Sequence, residues 1–111
     1  MNNKDKWLDA LRAALKDTDF PHVIQRYCAI YEETEHRLAS GLEVSLQDRA
    51  EHERIKCRIQ EGYSLRDAMI RWHVEMYLAM WDRDHPGMPK PGPEFKENLF
   101  RIFATCAAEV C

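Results

Sequence analysis

Several hallmarks of membrane proteins, secreted proteins and common enzyme families are missing from this sequence. No uncharged apolar run approaches the roughly eighteen residues of a membrane span, and the amino-terminal stretch lacks the apolar core of a signal peptide. The four cysteines include no C-x-x-C pair, and none of the four glycines belongs to a phosphate-binding loop. No Gly-x-Ser-x-Gly elbow is present. We therefore expect a protein that is not an enzyme and does not enter a membrane.

Concentrated charge of one sign is also missing. The 111 residues include 16 basic and 19 acidic side chains, for a net charge of −3, and the densest basic run, residues 54–58, is interrupted by apolar residues. Because a nucleic-acid surface needs basic charge gathered on one face, we expect no nucleic-acid binding. Cys28, Cys57 and Cys106 lie among core-like residues, which predicts buried free thiols and a reducing compartment, the cytoplasm.

What the sequence does contain is helical periodicity. Apolar residues recur at intervals of three and four, and no alternating run is long enough for a strand. The fold class is therefore predicted to be all-α, a single domain over residues 1–111 built as a bundle of about five helices. The predicted helices run from Asn3 or Asp5 to about Lys16, from a Thr18-Asp19 cap to Gly41, from Ser45 to Gly62, over residues 64–83, and from Pro93 or Glu94 to Cys111.

The fourth of these helices, residues 64–83, is predicted to be the centre of the bundle. Its apolar residues cover two opposite faces and leave a narrow polar strip that contains Arg71, Glu75 and Asp82. A helix that is apolar nearly all round needs neighbours on at least two sides. We therefore expect Trp72 and Met76 to be almost fully buried.

One candidate binding pocket lies on this helix, around His73. Its neighbours on the helix surface are Met69, Trp72, Met76 and Tyr77. An imidazole among methionines and aromatic rings can ligate haem or border a pocket for a small organic ligand. The alternative, which we favour, is a core histidine that is hydrogen-bonded to a backbone carbonyl or a carboxylate.

A metal centre is not predicted. Glu33-x-x-His36 has the spacing of di-iron helical bundles, but such sites need a second pair and two further glutamates. The run from Glu32 to Arg37 contains no large apolar residue, which is typical of a solvated face. We therefore assign no metal ligands and predict no cofactor, apart from the haem or organic ligand considered for His73.

The second half of the chain resembles a family of regulators. Residues 58–69 read Arg-Ile-Gln-Glu-Gly-Tyr-Ser-Leu-Arg-Asp-Ala-Met, which is similar to the R-x-Q-x-F-S-x-S-x-A stretch in the amino-terminal helical sensor domains of RsbR-type stress regulators. A similar corner followed by a long apolar helix occurs in helical input domains of PucR-type transcription regulators and of some histidine kinases. The last helix resembles the closing F-D-x-Y-x-x-C-R helix of the first family, with Ala107 in place of the arginine. The resemblance implies a non-catalytic sensory module, often dimeric, at the front of a longer signalling chain.

Two further segments bear on partners. The connector, residues 85–93, holds four prolines and two glycines and is predicted to be a stiff loop. It can serve as a plain spacer, which we favour, or as a partner-binding surface. The last helix is still in register at Cys111, so we expect its apolar face, with that of the central helix, to serve a protein partner or a homodimer.

Overall fold

The protein is a bundle of helices, with no strand among the residues that the structure describes. The computed structural model describes the backbone of residues 3–108 and the side chains of residues 6–108. The all-α prediction is confirmed, and within this range no helix is long and apolar enough to cross a membrane. The described helices are α1 (Asn3–Asp17), α2 (Phe20–Ala39), α3 (Leu46–Gln60), α4 (Leu65–Ala79), the short α5 (Trp81–Asp84) and α6 (Pro93–Ala108).

Helices α3 and α4 begin at the serines that the sequence predicts. The Ser45 hydroxyl accepts a hydrogen bond from the Asp48 amide at 3.1 Å, and the Ser64 hydroxyl accepts one from the Asp67 amide at 3.1 Å. Each bond satisfies one of the amide donors that a helix leaves unpaired in its first turn. The two serines therefore fix where these helices start.

The predicted glycine terminators of α2 and α3 are also confirmed. Gly41 and Gly62 have φ angles of 73° and 110°, in the region that side chains with a Cβ rarely adopt. The residue after each glycine donates its amide to a carbonyl five residues earlier, Leu42 to Arg37 at 2.8 Å and Tyr63 to Arg58 at 3.3 Å. This bond pattern closes the carboxyl end of a helix. The corner at Gly62 is so short that α3 packs back against α4.

The turn between α1 and α2 differs from its prediction. Asp19 occupies the cap position of α2, but its side chain forms no capping hydrogen bond and its backbone is left-handed, with φ at 54°. The Thr18 hydroxyl donates instead to the Leu15 carbonyl of α1 at 3.1 Å. The predicted cap position is therefore confirmed for Asp19, which supplies its carbonyl and not its carboxylate to α2, whereas Thr18 closes the preceding helix.

Helix α4 lies at the centre of the bundle, as predicted, and packs against α2, α3 and α6. The predicted helix over residues 64–83 is, however, interrupted at Met80, where the backbone turns to φ −98° and ψ 10° and α5 begins. Backbone hydrogen bonds still bridge the break, from the Met80 amide to the Met76 carbonyl and from the Asp84 amide to the Met80 carbonyl, both at 3.1 Å. The buried side chains come from all of these helices: Leu11, Leu15, Phe20, Ile24, Ile55, Ala68, Met69, Ile70, Val74, Trp81, Leu99, Phe103, Cys106 and Ala107.

The buried tryptophan of this region is Trp81, which shares the helix face of Ile70 and Val74. Trp81 is 1% exposed, and its indole N–H donates to the Met88 carbonyl at 3.1 Å. Trp72 and Met76 are partly exposed, so the expectation of their nearly complete burial is wrong. The burial predicted for the cysteines holds for Cys106, whereas Cys28 is partly buried and Cys57 is exposed on α3.

We expect Trp81→Ala to lower the free energy of unfolding by about 3–5 kcal/mol, because it leaves a large cavity in the core. Trp72→Ala removes a partly exposed side chain and should lower it by less. Urea unfolding followed by circular dichroism measures both variants. An equal or larger loss for Trp72→Ala contradicts the placement of the two rings.

Candidate functional site

His73 is held inside the bundle by its own helix. Its Nδ1 lies 2.9 Å from the Met69 carbonyl oxygen, which can only accept, so Nδ1 carries the proton. The rings of Phe20, Tyr27 and Trp72 meet the imidazole edge to face, with centroids 4.9–5.7 Å away. Burial lowers the pKa of His73 and keeps the ring neutral at pH 7. This is the geometry of the core histidine considered from the sequence.

The five residues of the predicted pocket do not share one space. Met69 and Trp72 border a cavity of about 20 Å³ between α2, α3 and α4. Tyr77 instead contacts the rings of Trp7 and Phe103. Tyr77 follows Trp72 by five residues on the same helix, and side chains five residues apart point about 140° away from each other. Met76 is partly exposed on the same helix.

A second group of side chains, called the aromatic cluster here, consists of Trp7, Tyr77, Trp81 and His85. The sequence did not predict it. The Trp7 indole N–H lies 2.7 Å from the Tyr77 hydroxyl oxygen and 3.0 Å from His85 Nε2. The His85 ring stacks on Trp81 with centroids 3.9 Å apart. Burial raises the pKa of the Tyr77 hydroxyl, which stays protonated at neutral pH. A signal was visible in the sequence: three of the four residues recur at intervals of four, at positions 77, 81 and 85.

An open groove of about 480 Å³ lies beside this cluster and is called the connector groove here. Trp7 and Phe95, whose ring centroids are 5.5 Å apart, belong to its wall together with Trp81. The connector closes one side with its prolines, and polar side chains stand among the other lining residues: Lys90, Glu94 and Asn98. Its volume is in the range of small-molecule sites, and its lining joins aromatic rings to a few polar groups.

A second histidine, whose role the sequence did not indicate, joins α2 to α3. His52 is 4% exposed, and its Nε2 lies 2.5 Å from the Glu35 carboxylate. The Tyr31 ring stacks on the imidazole with centroids 4.6 Å apart. The hydrogen bond from His52 is the main cause that lowers the pKa of Glu35, although the carboxylate itself is half exposed. The pair therefore ties two helices by a charged hydrogen bond.

The Glu33-x-x-His36 pair stays on the surface. Glu33 accepts a hydrogen bond from Arg37 at 3.1 Å, and His36 is exposed. Among the described residues, no group of three or more histidine, cysteine, aspartate and glutamate side chains is placed to hold a metal ion.

Comparison with known proteins adds no relative to this geometry. No protein-family model, no curated protein and no solved structure matches the chain. The resemblance to regulator sensor domains therefore remains a prediction.

The Glu35–His52 pair predicts an acid-sensitive contribution to stability. Because the pKa of Glu35 is lower in the folded state, its contribution is present above the pKa of the unfolded chain and is lost as the pH falls through the folded pKa. We expect Glu35→Gln to be less stable than the wild type at pH 7, with a difference that shrinks as the pH falls below about 4. Urea unfolding over this pH range measures the difference. The matched control is Glu32→Gln, exposed on the same helix, and an equal effect of both variants contradicts the assignment.

Proposed function

We propose that this chain is a non-enzymatic regulatory or sensory module that acts through a protein partner, best represented by a second copy of itself. The observation that carries the proposal is a set of exposed apolar side chains, two of them at the connection between α2 and α3 and one on α2. Leu46 is 85% exposed, Leu42 is 53% exposed and Ile30 is 43% exposed. Large apolar side chains grouped on a surface are typical of interaction sites.

The surface beside these residues favours a second copy as the partner. Ile30 and Val44 line an open groove of about 590 Å³, and Leu42 and Leu46 flank its loop segment in sequence. The groove also holds side chains of both charges, Arg26 and Arg37 with Glu33, Glu43 and Asp48. In a two-fold dimer the same patch meets itself, so a patch that carries both signs can pair its cations with the partner's carboxylates.

The surface proposed here for association differs from the one expected from the sequence, which was the apolar faces of the central and last helices. The apolar faces of α4 and α6 pack against each other, and Leu99 and Phe103 are buried there. The continuation of the last helix to Cys111 lies outside the described residues. Action in the cytoplasm belongs to the same proposal and is supported by the free thiols of the described cysteines.

We expect the wild-type protein to form a concentration-dependent dimer in sedimentation velocity runs at micromolar concentration. A buried carboxylate with no partner is costly, so Leu46→Glu and Leu42→Glu should each weaken the dimer at least about tenfold, which corresponds to about 1.4 kcal/mol. Circular dichroism should show unchanged helicity, because both leucines are exposed in the monomer.

The matched control is Gln60→Glu, which adds the same charge at the exposed far end of α3. It should leave the dimer intact. A wild-type protein that stays monomeric at every concentration, or a dimer weakened equally by all three variants, counts against this surface as the site of association.

The second candidate function, binding of haem or a small organic ligand by His73, has one observation in its favour. The Nδ1–H bond to the Met69 carbonyl leaves Nε2 as the free lone pair, which is the tautomer a metal ligand needs. Against it, the cavity that Met69 and Trp72 border, about 20 Å³, is far smaller than a haem.

We expect no Soret band that depends on His73 when haemin is added to the purified protein. The visible spectra of the wild type and of His73→Ala measure this directly. A band present in the wild type and lost in the variant would overturn the regulatory proposal in favour of haem binding.

A further inference from the structure

The two indole N–H groups in the wall of the connector groove already have hydrogen-bond acceptors within the protein. The Trp7 indole N–H is directed to Tyr77 and His85, and the Trp81 indole N–H is directed to the Met88 carbonyl. A molecule in the groove therefore meets ring faces and edges rather than free indole donors. Such a wall selects planar apolar groups.

The rings are also fixed in place before any ligand arrives. Trp7 and Trp81 meet edge to face with centroids 4.9 Å apart, and Trp81 is 1% exposed. A site that is already ordered loses little conformational entropy on binding. The packed rings of Trp7 and Trp81 thus form a wall that needs no rearrangement to receive a ligand.

Two opposite charges complete the lining. Lys90 on the connector and Glu94 in the first turn of α6 both line the groove, and neither forms an ion pair with a described residue. An ammonium group beside Glu94 gains a carboxylate and the faces of nearby aromatic rings, and a carboxylate gains the Lys90 ammonium.

We propose that the connector groove binds a small zwitterion that carries a planar aromatic ring, with an aromatic α-amino acid as the representative ligand. The ring lies against Trp7 and Phe95, the ligand carboxylate faces Lys90, and its ammonium group faces Glu94. As the input to a regulatory module, this ligand rests on the proposed function, whereas the binding itself does not depend on it.

The test uses L-phenylalanine as the probe, followed by NMR shifts of the indole N–H signals of Trp7 and Trp81 in the full chain. Three related probes separate the parts of the ligand: 3-phenylpropionate lacks the amine, phenethylamine lacks the carboxylate and L-alanine lacks the ring. We expect saturable shifts with L-phenylalanine, weaker binding of the two single-charge probes and no binding of L-alanine.

Two charge variants make the assignment specific. Lys90→Ala should weaken L-phenylalanine and 3-phenylpropionate by about three- to tenfold and leave phenethylamine unchanged. Glu94→Gln should weaken L-phenylalanine and phenethylamine by a similar factor and leave 3-phenylpropionate unchanged. The controls Lys16→Ala and Glu53→Gln, both exposed outside the groove, should change nothing.

Two outcomes overturn the inference. No saturable shift with L-phenylalanine means that the groove does not take this class, and equal binding of all ring compounds in every variant means a non-selective apolar contact. Sedimentation of the same samples separates the two proposals. A dimer that binds no probe removes the ligand site alone, whereas a monomer that binds L-phenylalanine removes self-association alone.

Discussion

The bundle depends on burying α4 from two opposite sides. Ala68, Met69, Ile70 and Val74 are at most 2% exposed, and they point to different sides of the helix. A fifteen-residue helix is marginal in water by itself, so its stability comes from the apolar surface that its neighbours cover. Helices α2, α3 and α6 are therefore placed by the need to surround α4.

The polar strip of α4 is part of the same packing. Arg71 lies over the rings of Tyr63 and Phe100, 4.3 Å and 4.1 Å from their centroids, so its guanidinium is covered by aromatic faces. Glu75 is bonded to Arg58 of α3 and to Lys96 of α6. A strip that looks solvated in the sequence thus joins three helices, because long charged side chains reach past the apolar contacts beside them.

The sequence predicts the features of this fold that are set locally. The caps at Ser45 and Ser64 depend on residues three positions away, and the bond from His73 to Met69 spans four. Helical periodicity also predicts the central place of α4 and shows which of its side chains share a face. It does not rank the two apolar faces of one helix, which is why the sequence placed Trp72 and Met76 in the core although the face of Ile70, Val74 and Trp81 is the more deeply buried one toward the end of the helix.

The candidate sites, in contrast, are not set by local sequence. The aromatic cluster needs Trp7 to meet residues 70 and 78 positions along the chain, and His52 meets Glu35 on another helix. No local pattern specifies such contacts, since they follow from how whole helices are arranged. The sequence shows only the spacing of Tyr77, Trp81 and His85, which indicates that they share a helix face but not which residue packs against that face.

The long sequence separation between Trp7 and its partners also has an entropic consequence. Closing a loop costs conformational entropy that grows with its length, and long-range contacts slow folding. The corner at Gly62 brings α3 and α4 together across four residues, whereas the hydrogen bond between Trp7 and Tyr77 closes a span of 70. The α3–α4 hairpin therefore closes at a low entropic cost, whereas the contact of α1 with Tyr77, which completes the wall of the connector groove, closes at a higher one.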